Sequence, residues 1–190
     1  MVPLLSLWLP ILVTTVGVFV ASSIIWMALP IHKKDYLPIG PREPEFLSLV
    51  SSANLPPGVH MYPWCDHATV KSDPTALDRY KKGPWGTITV MPGTANMGKS
   101  LGLWAANIAV LSFVIAYLAA HSLPAGAGGV QVARFVGTVA MLAYGGSSVC
   151  DCIWKGMPWS RLPGSVFDAA VYATVNATAF ALLWPAAITG

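Results

Sequence analysis

The stretch LLSLWLPILVTTVGVFVASSIIWMAL, residues 4–29, contains no charged side chain. Because a bilayer core about 30 Å thick is crossed by about 20 residues of α-helix, this segment is long enough to span a membrane. Trp8 and Trp26 lie near its two ends, where amphipathic rings favour the membrane interface. Pro10 falls in the first turns, where a missing N–H is least harmful to a helix. The segment therefore predicts a transmembrane helix and indicates that the chain is a membrane protein.

Three more long apolar windows follow, and transmembrane helices are predicted over residues 100–123, 130–154 and 166–188. Arg134 and Asp151 fall inside the second of these windows, so both side chains are expected near the membrane interfaces. The chain of 190 residues is 55% hydrophobic and 10% charged, whereas a soluble domain has roughly 25% charged residues. The sequence therefore predicts an all-α membrane protein with four transmembrane helices.

The basic residues are distributed unevenly over the predicted loops. Four spans place residues 30–98 and 155–165 on one side, and that side, with Lys99 at its edge, holds ten of the eleven Lys and Arg residues. The positive-inside rule then predicts that these loops are cytoplasmic and that both termini lie on the outer side of the membrane. A cleaved signal peptide would begin with a basic region, which is missing here, so the first span is expected to be retained. The ten residues are Lys33, Lys34, Arg42, Lys71, Arg79, Lys81, Lys82, Lys99, Lys155 and Arg161.

Residues 30–98 form a predicted Pro-rich polar cap between the first two spans, with ten of the sixteen prolines. Such a density favours an irregular, packed segment with only short regular elements. Asp73 and Pro74 precede TALDRYKK and Gly83, which predicts a short helix with Asp73 as its N-cap and Gly83 just past its end. A second short helix is predicted over residues 45–52.

Two segments of this cap have the alternation of half-buried β-strands. They are GVHMY, residues 58–62, and WGTITVM, residues 85–91. Because an isolated two-stranded pair is marginally stable in water, this β element is expected to pack on the membrane helices or on another subunit.

The segment HMYPWCDH, residues 60–67, gathers His60, Met61, Cys65 and His67. Imidazole and sulfur ligands suit zinc and copper, so one hypothesis is a metal ion bound by His60, Cys65 and His67. The single cysteine lacks the paired ligand spacing of structural zinc sites. The alternative is therefore an aromatic turn with hydrogen-bonded or solvated histidines. Beyond this candidate metal ion, no cofactor is predicted.

A composite metal site is also allowed by the predicted topology. Cys150 and Cys152 end the third span on the same side as the cap, so they can join Cys65 and His67 as ligands. Because cytoplasmic thiols are normally kept reduced, none of the three cysteines is expected in a structural disulfide.

Two asparagines and two repeats of small residues in the spans predict contacts between transmembrane helices. Asn107 and Asn176 lie at intermediate depth, where an unsatisfied amide is costly, so both are expected to face other helices. The alternative is a ligand contact or a polar pathway. Small residues at every fourth position favour close helix approach. They are Gly98, Gly102 and Ala106 in the second span, and Ala169, Ala173, Ala177 and Ala181 in the fourth.

The segment GTANMGKS, residues 93–100, matches the phosphate-binding pattern G-x4-G-K-[ST]. That pattern requires the strand and helix of a nucleotide-binding sheet, whereas the helix predicted here enters the membrane. Nucleotide binding is therefore the weaker interpretation of this segment, and no nucleic-acid partner is predicted.

At HKKDY (32–36), GPWGTITVMP (83–92), NMGKSL (96–101) and VFDAAVY (166–172), the chain resembles a family of small bacterial inner-membrane proteins of unknown function. The resemblance covers most of the chain and implies four spans and a bacterial source, so that the N- and C-termini would be periplasmic. It also implies that NMGKSL caps a membrane helix, and it transfers no catalytic residues.

The sequence favours three functions of different kinds. The first is a non-catalytic accessory or assembly subunit of a larger bacterial membrane complex, such as an energy-transducing one, because no catalytic set is found. The second is a transporter or channel for a small neutral solute, with Asn107 and Asn176 on its pathway. The third is a metal-binding or redox membrane protein. The expected partners are membrane lipids and other membrane protein subunits or a second copy of the chain.

Overall fold

The computed structural model describes residues 2–187, and these are mostly helical. Four helices are long and apolar enough to cross a membrane, so the chain is a multi-pass membrane protein. The predicted all-α class with four candidate spans is confirmed. The spans are Leu4–Ala28, Met97–Ser122, Gly129–Trp154 and Trp159–Leu182, and position 188, predicted to end the last span, lies outside the described residues.

Short elements of the cap are inserted between the first and second long helices. The predicted short helices and the two-stranded β element are both present, and one more short helix accompanies them. In chain order the helices and strands are α1 (Trp8–Ala28, after a 3-10 turn at Leu4–Leu7), α2 (Glu43–Ser52), β1 (Gly58–Tyr62), α3 (His67–Ser72), α4 (Ala76–Lys82), β2 (Gly86–Val90), α5 (Met97–Ser122), α6 (Gly129–Trp154) and α7 (Leu162–Leu182, after a 3-10 turn at Trp159–Arg161).

The chain divides into two compact units. The first contains the four long helices, and the second, residues 38–95, contains both strands and the three short helices. Many large apolar side chains on the long helices are exposed, and in a membrane these side chains contact lipid. Arg134 and Asp151 lie near the two ends of α6, where their charges can reach the interfaces.

Helices α6 and α7 approach each other closely through small residues. A Cβ atom added at Gly145 would lie 3.0 Å from the Cβ of Ala169, and one added at Gly137 would lie 3.4 Å from that of Ala177. A larger side chain at either glycine would therefore push the two helices apart. The small-residue repeat of α7 thus packs inside the bundle.

Contacts at one end of the four-helix unit join three parts of the chain. The backbone N–H of Val2 donates to the carbonyl of Ala120 at 3.3 Å. The indole N–H of Trp184 donates to the carbonyl of Pro124 at 2.9 Å. The N-terminal segment, the α5–α6 loop and the segment after α7 therefore lie at the same end, as four alternating spans require.

The strands of the second unit form one antiparallel pair, in which Gly58 pairs with Val90 and Tyr62 with Gly86. Both strands fall within the segments predicted from the alternation. Helices α3 and α4 connect them, so the pair is closed by a helical connection and not by a tight turn.

Helix α4 begins later than the sequence predicts. A side-chain oxygen of Asp73 accepts hydrogen bonds from the backbone N–H of Thr75 at 2.9 Å and from its hydroxyl at 2.6 Å. These bonds, together with the nearby Arg79 guanidinium, lower the pKa of Asp73 to about 2. Because this turn occupies the residues after Asp73, the helix starts at Ala76 with Thr75 as its N-cap. At its other end, Gly83 has a φ of 68°, the left-handed region that favours glycine.

Candidate functional site

A buried polar cluster surrounds His32, in the segment that follows α1. The Nδ1 atom of His32 lies 2.7 Å from an oxygen of Asp35, and its Nε2 atom lies 3.1 Å from an oxygen of Asp168 on α7. His32 and Asp168 are each only 8% exposed. Because a carboxylate only accepts hydrogen bonds, both contacts are satisfied when both ring nitrogens carry protons. The geometry therefore favours an imidazolium held between two carboxylates.

Trp26, in the last turn of α1, covers the imidazole of His32. The two rings are stacked with their centroids 3.9 Å apart and their planes 1° from parallel. A cation over the face of an aromatic ring is attracted by it, and tryptophan gives the strongest attraction. The indole N–H of Trp26 also donates to the second oxygen of Asp168 at 3.1 Å. Asp168 is thus held by α1 and by the segment that follows it.

Arg161, just before α7, contacts the same group of residues. Its Nε atom lies 3.6 Å from an oxygen of Asp35, and its guanidinium lies 5.1 Å from the ring centre of Tyr36. With His32 protonated, two positive charges therefore face two negative charges. We call the following residues the His32 cluster: Trp26, His32, Asp35, Arg161 and Asp168.

Two opposing effects act on the pKa of His32. Burial lowers it, because a charged ring loses the solvation of water. The hydrogen bonds and negative charges of Asp35 and Asp168 act in the opposite direction, and together they raise the pKa of His32 above its ordinary value of 6.5. The carboxylates therefore outweigh burial and keep the ring charged to a higher pH than in an isolated histidine.

The His32 cluster connects the end of α1 to the beginning of α7. Both nitrogens of the imidazole are engaged by carboxylates, so in this geometry His32 offers no free lone pair for proton abstraction or for a metal ion. Buried charges that are paired and hydrogen-bonded in this way hold a fixed geometry, and removing one of them leaves the others uncompensated. The arrangement favours a structural contact between two helices.

A small polar cleft lies beside the His32 cluster. Asp151 is already paired with Lys155 at 2.7 Å, and Arg161 is shared with Asp35 of the cluster. The main charges of the cleft are therefore balanced within the chain. The cleft has a volume of about 210 Å³ and is lined by Tyr36, Ser148, Asp151, Cys152, Met157, Arg161, Leu162 and Ser165.

The structure divides the segment HMYPWCDH between a strand, a turn and a helix. His60 lies in β1, and its Nε2–H donates to the carbonyl of Pro56 at 2.9 Å. Asp66 caps α3 by accepting a hydrogen bond from the backbone N–H of Thr69 at 2.7 Å, and interactions with the side chain and the backbone of Thr69 lower the pKa of its carboxyl group. His67 is the first residue of α3. Asp66 thus has a role as a helix cap that the sequence-based prediction does not include.

The candidate metal ligands are not gathered around one point. Within residues 2–187, no three His, Cys, Asp or Glu side chains are close enough to hold one metal ion. A metal bound by His60, Cys65 and His67 would require this segment to rearrange, and that site stays a prediction. The composite site with Cys150 and Cys152 combines residues of two units and also stays a prediction. At the end of α6, Cys150 is exposed and Cys152 is buried.

The two asparagines of the spans lie in opposite environments. Asn176 is fully buried, and its amide N–H donates to the carbonyl of Tyr172 at 2.8 Å. Asn107 is exposed on α5, beside Leu103 and Val110, which are 62% and 60% exposed. Because Asn107 is exposed among residues 2–187, its predicted contact with another helix stays a prediction, and it would concern a second chain. A pathway lined by both asparagines would have to combine a buried amide with an exposed one.

The sequence-based predictions do not include the His32 cluster. His32 and Asp168 are 136 positions apart, and nothing in their local patterns links them. Two signals were nevertheless present. His32 and Asp35 have i, i+3 spacing directly after the first span, and Asp168 lies where the last span begins on the same predicted side. Paired polar residues at span ends on one side are thus worth testing as partners.

No family model, no curated protein and no solved structure matches this chain. The evidence for the four candidate membrane-spanning helices therefore comes from the structure. Membership of a particular family of bacterial inner-membrane proteins stays a prediction.

Proposed function

We propose that this protein is a non-catalytic accessory or assembly subunit of a larger membrane protein complex. The observation that carries the proposal is the exposure of Asn107 on the apolar helix α5. This residue belongs to one helix face, because positions i, i+3, i+4 and i+7 lie on the same side of a helix. We call the following exposed residues the α5 outer face: Leu103, Ala106, Asn107 and Val110.

The depth of Asn107 makes its exposure costly in a lipid environment. With a rise of 1.5 Å per residue, it lies about 15 Å along the helix from Met97, near the middle of the span. Lipid tails offer no hydrogen-bond partner at that depth. A helix from another subunit that presents a hydroxyl, an amide or a backbone carbonyl would satisfy the amide of Asn107. The proposed partner is therefore a membrane helix with at least one such group.

Small residues beside this face would let such a helix approach closely. A Cβ atom added at Gly102 would meet no atom within 4 Å, and Ala106 is exposed. Spacings of four between small residues are typical of close helix contacts in membranes. On α7 the small residues of a similar repeat already pack against α6. On α5 the space beside Gly102 is open.

The His32 cluster supports a structural role rather than a catalytic one. Its charges are balanced within the chain, and both nitrogens of His32 are engaged. A fixed four-helix unit whose α5 outer face exposes one amide among apolar side chains is suited to docking on a larger assembly.

The test is the size and composition of the native assembly. Membranes are solubilised in a mild detergent, and the chain is followed on native gels and by identification of co-purifying proteins. We expect migration well above its own mass of 20.1 kDa together with at least one other membrane protein. Migration as a monomer or as a small homo-oligomer would overturn the proposal.

A matched pair of variants connects this test to the α5 outer face. Asn107→Leu removes the amide and is expected to reduce the amount of complex at least several-fold. Leu142→Val, at an exposed apolar position of α6, is expected to leave it unchanged. An equal loss of the complex in both variants, or no loss in either, would show that the complex does not depend on the α5 outer face.

We further propose that the chain lies in a bacterial inner membrane with both termini in the periplasm. The support is the distribution of the basic residues, because ten of the eleven lie on the predicted cytoplasmic side. A membrane-impermeant thiol reagent applied to intact spheroplasts should leave Cys65 and Cys150 unlabelled until the membrane is broken. Labelling of Cys65 in intact spheroplasts would reverse the orientation and place HMYPWCDH in an oxidising compartment.

A further inference from the structure

An open groove follows α6 from its first turns towards the middle of the span. Its volume is about 750 Å³, which falls within the roughly 300–1,000 Å³ of small-molecule sites. Gln131, Arg134 and Thr138 are exposed, and their i, i+3 and i+7 spacing places them on one face of the helix. We call it the α6 groove, and its lining includes Leu123, Gln131, Arg134, Phe135, Thr138 and Val139.

Arg134 gives the α6 groove a positive charge that this chain does not balance locally. The salt bridges among residues 2–187 do not include Arg134. The acidic side chains of the four-helix unit are Asp35, Asp151 and Asp168. Asp35 and Asp168 belong to the His32 cluster at the start of α7, and Asp151 lies near the other end of α6. The negative charge that neutralises Arg134 must therefore come from a bound partner.

The position of Arg134 along α6 brings its charge to the level of lipid headgroups. The 26 residues of α6 are about 39 Å long, which exceeds the roughly 30 Å of the hydrocarbon core. Arg134 follows Gly129, the first residue of the helix, by about 8 Å along its axis. A guanidinium on a long side chain extends from this depth to the interface. The phosphate of a phospholipid lies at the same level.

The order of the side chains along the α6 groove matches the two parts of a phospholipid. Nearer the interface, Gln131 and Arg134 offer an amide and a guanidinium, and a guanidinium binds phosphate through two parallel hydrogen bonds. Deeper in the span, Phe135 and Val139 provide apolar surface. Between them, the hydroxyl of Thr138 donates to the carbonyl of Arg134 at 2.8 Å and is therefore satisfied within the helix.

We infer that the α6 groove binds one anionic phospholipid. Its phosphate accepts hydrogen bonds from Arg134 and Gln131, and one acyl chain lies along Phe135, Thr138 and Val139. Charge selects the headgroup, because a net negative lipid neutralises Arg134, whereas a zwitterionic lipid brings a positive charge of its own. A free phosphate ion would engage the same donors and leave the apolar part of the groove uncovered.

Native mass spectrometry of the full-length protein in detergent tests this inference. The protein is mixed with phosphatidylglycerol or with phosphatidylcholine of the same acyl chains, and the lipid-bound fraction is measured. We expect at least several-fold more bound phosphatidylglycerol, and a loss of this excess in Arg134→Gln. Thr138→Trp keeps the charge but fills the groove, so it should also lower phosphatidylglycerol binding. Lys99→Gln, which removes an exposed basic residue at the start of α5, should leave it unchanged.

The opposite results overturn the inference. Equal binding of the two lipids would mean that the groove does not select a negative headgroup. An equal loss in Arg134→Gln and Lys99→Gln, or full binding in Thr138→Trp, would mean that the lipid is bound outside the groove. Displacement of phosphatidylglycerol by inorganic phosphate would mean that no acyl chain is held. Circular dichroism shows whether each variant is folded, and if Arg134→Gln is not, the lipid preference of the wild-type protein and Thr138→Trp decide the result.

Discussion

Helices α7 and α5 carry the same kinds of residues and leave them in opposite environments. On α7, Ala169 and Ala177 pack against glycines of α6, and Asn176 is fully buried. On α5, Gly102 has open space beside it, and Asn107 is exposed. Small residues and amides therefore mark helix contacts in a membrane, but only the packing tells whether the partner belongs to the same chain.

The largest expected effect concerns the buried charge at the start of α7. Asp168→Ala should destabilise the protein by about 3–5 kcal/mol, because it leaves the imidazolium of His32 with one fewer buried partner. Asp151→Ala is the matched control, since the ion pair of Asp151 with the exposed Lys155 should contribute little to stability. The measurement is chemical unfolding in detergent micelles. Similar small losses in both variants would contradict the role of the His32 cluster.

The next effect compares adjacent glycines on α6. Gly145→Leu should destabilise the chain by about 1–3 kcal/mol, because its side chain meets Ala169 of α7. Gly146→Leu should be tolerated, since a Cβ atom there meets no atom within 4 Å. Thermal unfolding followed by circular dichroism measures both variants. If both substitutions are tolerated, α6 and α7 are not packed as closely as described.

The comparison of helices also shows what the sequence can predict. The long apolar windows predicted all four spans, because burial of backbone polar groups in lipid leaves few alternatives to a helix. The alternation of GVHMY and WGTITVM predicted the strand pair. Helix α3 was missed because its N-cap, Asp66, lies within a segment that was interpreted either as metal ligands or as an aromatic turn. Local patterns with a single physical cause were therefore predicted well.

The two asparagines provide the third test. Asn176→Leu should destabilise the isolated chain by about 1–2 kcal/mol, because it removes a buried amide that bonds Tyr172. Asn107→Leu should leave the stability of the isolated chain unchanged or raise it, since the exposed amide gains nothing from lipid. Unfolding of the purified chain in micelles separates the two. A large loss of stability in Asn107→Leu would mean that its partner lies within this chain.

The smallest expected effect is a pH dependence at the His32 cluster. The raised pKa of His32 in the folded protein means that its contribution to stability is fully present below pH 6.5 and is lost as pH rises through the folded value. The charged groups that face this ring are Asp35 and Asp168, with Arg161 beyond Asp35. The melting temperature should therefore fall on raising the pH above 6.5. A His32→Gln variant should lose this part of the pH dependence, and an equal slope in both proteins would exclude His32 as its source.

The candidate site was less predictable than the fold for a physical reason. The cluster forms only where the end of α1 packs against α7, which brings together His32, Asp35 and Asp168. Sequence spacing contains no information on that contact. Asn107 and Asn176 have the same chemistry at similar depth, so no local pattern separates the buried amide from the exposed one. Residues whose role depends on a distant partner require the packed structure.

The central claim, that the α5 outer face binds a helix of another subunit, is tested most directly by photo-crosslinking in native membranes. A photoreactive residue is placed at Val110 on this face, or at Leu142, which is 68% exposed on α6, as the matched control. The account predicts a specific crosslink to another membrane protein from position 110 and only lipid adducts from position 142. Lipid adducts alone from both positions, or the same protein crosslinks from both, would contradict it.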